Sequence, residues 1–272
     1  MSRLTLRALT AGAAAALLIA GPAVAQEQQG ERQDGMTIFG RSLSVSLKAH
    51  VAPEYLGSDH YVFGPAGSFN LLKPGEEAPF AAPDDGVSLG VIGGERWSAG
   101  LSAGWRSSRD NDDELRGFDE VDWSVEAGAF AAVWPTEWLR LRADVRRGFN
   151  GHEGVVASLG ADAVYRDDTW ILSLGPRVRW TDNEFTQTYF GVTPLEAARS
   201  PFALPAYRPN DAVSSAGLVA SAEYRLSPRW SVVADAQYQR LRGSAAASPI
   251  VRTLGSEDQF SGSLGLQYSF GR

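Results

Sequence analysis

The chain of 272 residues contains no cysteine. That excludes disulfides, thiol nucleophiles and thiolate-bound metal. Histidine is scarce, with only His50, His60 and His152. A Ser–His–acid site needs its base within hydrogen-bond reach of the nucleophile. Ser46 and His50 share one face of an extended segment, but four residues of strand put them about 13 Å apart. No Gly-x-Ser-x-Gly elbow stands between a strand and a helix. The sequence therefore predicts no catalytic residue, no cofactor and no metal site. The acidic stretch Asp110-Asn111-Asp112-Asp113-Glu114 is expected to be a solvated extracellular loop, loose divalent-ion binding being the alternative. A basic excess is also missing. The formal net charge of −7 argues against nucleic acid as a partner.

Long apolar runs are missing as well. After the N-terminus no run approaches the ~20 residues of a spanning helix. The N-terminus itself carries Arg3 and Arg7, then the short Ala/Leu-rich run Ala8–Ala20, then Ala23-Val24-Ala25. These are the three parts of a secretory signal peptide. Residues 1–25 are predicted to be that signal, and 26–41 a polar, disordered segment.

What the chain does have is alternation. From Phe260 to Phe270, apolar or glycine positions (Phe260, Gly262, Leu264, Leu266, Tyr268, Phe270) alternate with Ser261, Ser263, Gly265, Gln267 and Ser269. Side chains flip face at each strand residue, so one face is apolar and the other polar. The length and aromatic ends suit a transmembrane strand of roughly 9–11 residues. The pattern recurs over 42–52, 97–106, 139–149, 155–166, 170–181, 216–226 and 230–241, and more weakly over 60–72, 87–93 and 123–134. That makes about eleven visible strands, and bacterial barrels have even numbers. The predicted fold is all-β: one antiparallel transmembrane β-barrel over 42–272, of about twelve strands, ten being the alternative. The twelfth strand is expected near Met36–Phe39 or Pro79–Ala82. A soluble sandwich would also alternate, but would carry larger residues on the apolar face and more Lys and Glu on the other.

The connections set the orientation. Trp134–Trp138, Arg166–Asp168 and Ser227–Arg229 are tight, whereas 182–211 and 243–258 are long. Short turns belong to the periplasm and long loops to the exterior. Trp134, Trp138, Tyr165, Trp170, Tyr224 and Trp230 beside the tight turns would form an inner aromatic girdle. Carrying this alternation back places the Pro53–Tyr61 turn in the periplasm. On the polar faces, Arg140, Arg142 and Arg146 share one strand and Arg177 and Arg179 another. They would line an anion-selective pore, or else be neutralised by Asp144, Asp162, Glu126, Glu223 and Asp235 in a filled lumen.

Three blocks resemble a known family. The first is Pro53-Glu54-Tyr55-Leu56-Gly57-Ser58-Asp59-His60-Tyr61. The second is Thr188-Tyr189-Phe190-Gly191-Val192-Thr193, continued by Ala197–Ser200 and Leu204–Tyr207. The third is Leu241–Val251, which contains Ser248-Pro249-Ile250-Val251. In this order they are similar to the signature, central loop and late block of the MipA/OmpV family, and Arg109–Leu115 with Gly117-Phe118 is similar to a fourth. Two places depart from the family pattern: Phe63–Pro83 fits poorly, and the chain ends Phe270-Gly271-Arg272 rather than on an aromatic residue. The resemblance implies an outer-membrane barrel of a Gram-negative bacterium without enzymatic activity. It implies a scaffold bridging a murein lytic transglycosylase and a class A penicillin-binding protein, a narrow channel or an adhesin being the alternative. It carries no catalytic residues. Pro53, Tyr55, Gly57, Ser58, Asp59, Tyr61, Tyr189, Phe190, Gly191, Ser248 and Pro249 are its candidate partner contacts. Tyr55 and Tyr61 would offer a periplasmic partner an exposed aromatic pair. The Tyr189 and Ser248 blocks would lie outside the cell or fold into the lumen.

Overall fold

The computed structural model describes residues 37–38, 41–72, 79–210 and 212–270. The predicted signal peptide, 1–25, and most of the 26–41 segment lie outside them. Among the described residues there are twelve strands: β1 (Thr37–Ile38), β2 (Arg41–Pro53), β3 (Tyr61–Leu72), β4 (Val87–Gly94), β5 (Trp97–Arg106), β6 (Ser124–Thr136), β7 (Leu139–Asn150), β8 (Val155–Arg166), β9 (Trp170–Thr181), β10 (Ala212–Arg225), β11 (Trp230–Leu241) and β12 (Asp258–Ser269). Near Met36–Phe39, where a twelfth barrel strand is expected, the described residues hold only β1, a two-residue strand that folds back on the start of β2. The eleven long strands are those whose alternation is visible in the sequence.

The ladder is antiparallel throughout and runs β2-β12-β11-β10-β9-β8-β7-β6-β5-β4, with β3 on the other side of β2. The two chain ends of the barrel thus meet at β12 and β2, from Gly262 opposite Val51 to Ser269 opposite Ser44. The sheet ends on β3 and β4, and among the described residues no ladder joins them. Both strands run from the loop end to the turn end, because β3 is antiparallel to β2 and β4 to β5. The connection between them therefore leads from the turn end to the loop end, and its described part, 79–86, lies in the interior.

Burial is inverted relative to a soluble protein. Leu47 is 69 % exposed and Leu264 60 %, whereas Arg140 is 3 % and Asp162 1 % exposed. Leu101, Leu159, Leu174 and Leu218 also point out, while Ser44, Ser102, Ser173 and Ser231 point in. An apolar exterior around a polar interior is stable only where the exterior meets lipid. It excludes the sandwich, whose apolar faces would pack on each other. Trp138, Tyr165, Trp170, Tyr224 and Trp230 are exposed at the turn end. There, Trp170 meets Tyr224 with ring centroids 4.6 Å apart, and Trp230 meets Tyr268 at 4.8 Å. At the loop end Trp105 stacks on Trp123 at 4.8 Å. Such paired bands of amphipathic rings are what two membrane interfaces select. Trp134 departs from the expected girdle. The register shifts after Val133, and its ring meets Phe80 edge-on at 6.2 Å.

Candidate functional site

The interior is packed with charge. Arg140 on β7 bridges two carboxylates. It donates from Nη1 to Asp85 Oδ2 at 2.6 Å and from Nη2 to Asp162 Oδ2 at 2.7 Å. Arg177 on β9 spans Asp84 and Asp162 at 2.8 and 2.6 Å. Arg142 reaches Asp144 at 3.1 Å and Asp85 at 3.3 Å. Arg146 pairs with Asp144 at 2.9 Å, and Arg106 with Glu126 at 2.7 Å. Arg179 donates to Gln239 Oε1 at 3.1 Å. Among the described residues, this network thus holds six arginines and five carboxylates, close to neutrality. Each buried guanidinium needs such partners to offset its desolvation. Two voids among these groups hold about 10 Å³ each, room for one water. This network pairs all five arginines expected on the polar faces, four with carboxylates and Arg179 with an amide oxygen. Glu223 and Asp235 stand apart from it: Glu223 accepts from Ser231, and Asp235 pairs with Lys48 at 2.8 Å.

Two of the five carboxylates were not foreseen. Asp84 and Asp85 lie in Pro79–Gly86, the connection that runs up the interior between β3 and β4. Asp85 makes the turn rigid, its carboxylate accepting from Ala82 N at 2.9 Å. Gly86 then takes φ +67°, where a Cβ would sit 2.4 Å from Ala103 O. Phe80 lies under the Arg140 guanidinium, 4.7 Å from its ring centre. This segment is a plug and not the strand considered for Pro79–Ala82. The signal for it was present in Pro83-Asp84-Asp85-Gly86, a turn-forming run.

The loop end is closed by a lid. It comprises α1 (Asn183–Phe190), α2 (Pro194–Arg199), α3 (Gly243–Ala246), α4 (Pro249–Leu254) and a 3-10 turn at Asp113–Leu115. Side-chain caps start three of the four helices, α3 having none. Asp182 caps α1 at Phe185 N, and Thr193 forms a capping box with Glu196 that opens α2. Ser248 caps α4, and its Oγ donates to Phe190 O at 2.7 Å. The lid has two apolar clusters. Phe185, Tyr189, Phe190, Leu241, Ala245 and Val251 form one; Leu115, Phe118, Val192, Leu204, Ile250 and Leu254 form the other. Arg109 ties them together by donating to Tyr189 O at 3.0 Å and Asp119 O at 3.2 Å. Burial pushes the Arg109 pKa down and the Tyr189 phenol up.

The Pro53–Tyr61 turn belongs to this lid, which corrects its expected periplasmic position. Ser58 bridges to Gly255, and Gly57 N donates to Gln259 Oε1 at 3.0 Å. Gly57 has φ +95°, and a Cβ there would lie 2.7 Å from Val251. Tyr55 packs against the second cluster, and burial raises its phenol pKa, helped by the nearby Glu114 charge. The physical reason is the plug: because the chain re-crosses the interior between β3 and β4, up–down parity breaks there.

The three sequence blocks are thereby brought to one place, but mostly to its inside. Ser58, Tyr189, Phe190 and Ser248 are at most 3 % exposed, and Gly57, Gly191 and Pro249 are also buried. Asp59 is exposed, and Pro53, Tyr55 and Tyr61 are partly so. Arg109, Gln259 and His152 were missed because each is one polar residue in a loop or at a strand end. Below the lid, His152 lies 3.3 Å from Glu126 and edge-on to Phe185.

The turn end is different. Its tight turns are exposed and rigid. Asp167 accepts from Thr169 N and Trp170 N, both at 2.7 Å, and from Tyr165 OH at 2.8 Å. The Trp170 N–H foremost, then that of Thr169, holds its carboxyl below the usual range. Ser227 braces the next turn through Trp230 N at 3.1 Å.

A family model described as MltA-interacting protein MipA matches residues 45–270. No curated protein matches the chain. Among solved structures, an outer membrane channel from Pseudomonas putida F1 is 12 % identical, covering 89 % of this chain and 100 % of its own at a TM-score of 0.41. The translocator domain of the autotransporter NalP from Neisseria meningitidis is 13 % identical, covering 85 % and 88 % at 0.38. The outer membrane protease OmpT from Escherichia coli is 9 % identical, covering 88 % and 100 % at 0.28.

Proposed function

Since this chain belongs to the MltA-interacting protein MipA family, and so is a barrel of the Gram-negative outer membrane, we propose that it is a non-enzymatic scaffold. Its tight-turn end docks the lytic transglycosylase MltA and, beside it, a class A penicillin-binding protein, in cell-wall remodelling. The observation that carries this reading is the division of labour between the two ends. The interior is filled by paired charges and the plug, and the family blocks are spent on packing the lid. By the short-turn rule, the periplasm meets the other end, with its exposed and hydrogen-bonded turns. A scaffold needs such preorganised surface, because ordering a loop on binding costs affinity. The channel alternative makes the opposite demand, a continuous wet path, and the ion pairs of Asp84 and Asp85 weigh against it.

The test is retention of MltA on the immobilised barrel. Turn-end variants such as Glu137→Ala with Asp168→Ala and Arg229→Ala should weaken it, while heat-modifiable folding stays intact. If the barrel retains no MltA, or if the turn-end variants retain as much as wild type, the reading fails.

A further inference from the structure

The sequence led us to expect no metal site, yet three ligand-type groups from two separate loops converge on the outer rim of the lid. His60 Nε2 lies 4.0 Å from Asp59 Oδ1 and 3.6 Å from Glu114 Oε1. One ligand atom from each of the three residues lies within 4.8 Å of the other two. Asp59 and His60 come from the Pro53–Tyr61 turn, and Glu114 from the 3-10 turn at Asp113–Leu115. We propose that Asp59, His60 and Glu114 form a binding site for a first-row divalent transition ion, of which zinc is the representative, that pins these two loops together.

The spacing suits it. Bond lengths of 2.0–2.2 Å in a tetrahedron place ligand atoms about 3.3 Å apart. The His60 separations exceed this by about 0.3 Å to Glu114 and about 0.7 Å to Asp59, and Asp59 and Glu114 lie at most about 1.5 Å too far apart. The donor set is one imidazole and two carboxylates. That combination favours zinc and its neighbours over calcium or magnesium, which take oxygen alone. Three protein ligands leave a fourth position for water, and the partial exposure of all three residues leaves an entry path.

The ligands stand on fixed backbone, as a site of this kind requires. Ser58, next to Asp59, bridges to Gly255, and its Oγ accepts from His60 N at 3.0 Å. Glu54 N donates to His60 O at 3.0 Å. Leu115, next to Glu114, is buried in the second lid cluster with Phe118 and Leu254. Neither loop has to fold for the ion to bind; the ion joins two that are already placed.

Zinc chloride titrated into the untagged barrel in detergent, followed by calorimetry, tests this directly. One ion per chain is expected, and cobalt should give the visible absorption of a tetrahedral site. His60→Ala and Glu114→Gln should each weaken zinc binding by about tenfold or more, while heat-modifiable mobility is kept. Asp59→Asn, at an exposed position, provides a third variant should either of the others misfold. Absence of zinc uptake by wild type, or equal uptake by the folded variants, overturns the proposal; the second outcome means the ion binds elsewhere on the surface.

Discussion

Asp162→Ala probes the lumen network at its hub. Asp162 is 1 % exposed and accepts from Arg140 Nε and Nη2 at 2.9 and 2.7 Å and from Arg177 Nη2 at 2.6 Å. Removing it leaves two guanidiniums with only the plug carboxylates, Asp85 for Arg140 and Asp84 for Arg177. Breaking a buried ion pair by deleting one partner costs about 3–5 kcal/mol, because the remaining charge stays desolvated. The retained plug contacts hold the expected loss to the lower end, about 3 kcal/mol. The assay is urea unfolding of the refolded barrel in detergent, followed by tryptophan fluorescence and heat-modifiable mobility. Asp168→Ala on an exposed turn is the control and should change stability by less than about 0.5 kcal/mol. If Asp162→Ala also lies within about 1 kcal/mol of wild type, these charges are solvated and the filled-lumen argument is wrong.

The plug has an electrical signature: wild type should be silent in planar bilayers, and Asp84→Ala with Asp85→Ala should give discrete openings. Equal conductance in both would refute the plug. In the lid, Ser248→Ala removes the bond to Phe190 O and the α4 cap, for a loss of about 1–2 kcal/mol. Limited proteolysis should cut 182–211 faster in that variant; unchanged cutting would sink the claim. Gly57→Ala should loosen the lid more than Gly64→Ala, since only Gly57 combines positive φ with a neighbour at 2.7 Å. Asp167 bears on pH. Its folded pKa is depressed, so its stabilising effect is present above the ordinary carboxylate pKa of about 3.9 and is lost as pH falls through the folded value. Amide exchange at Thr169 and Trp170 should accelerate there in wild type and be insensitive to pH in Asp167→Asn, after correction for intrinsic exchange.

The strands were legible because period-two alternation is local. Trp97–Arg106, Val155–Arg166, Trp170–Thr181 and Trp230–Leu241 have the boundaries expected of them. The direction of β3 was not legible. It depends on the connection to β4, whose described part, 79–86, pairs in the interior with Arg140 and Arg177, more than fifty residues away. The same long-range pairing hid Asp84 and Asp85. The family blocks were visible as sequence, but their role was not: Tyr189 and Ser248 read as loop residues until Phe190 O and Ser248 Oγ are seen to meet. The convergence of Asp59, His60 and Glu114 was hidden because it joins two loops distant in sequence.

If the barrel is the proposed scaffold, its turn end docks murein enzymes and its lid does not. Binding of purified MltA to the barrel in nanodiscs, by biolayer interferometry, tests it most directly. The account predicts that the Glu137, Asp168 and Arg229 alanine triple variant weakens binding about tenfold or more, as expected when interface anchors are lost. Tyr55→Ala with Tyr61→Ala should bind as wild type does. Loss of binding in the tyrosine variant with retention in the turn-end triple would contradict it.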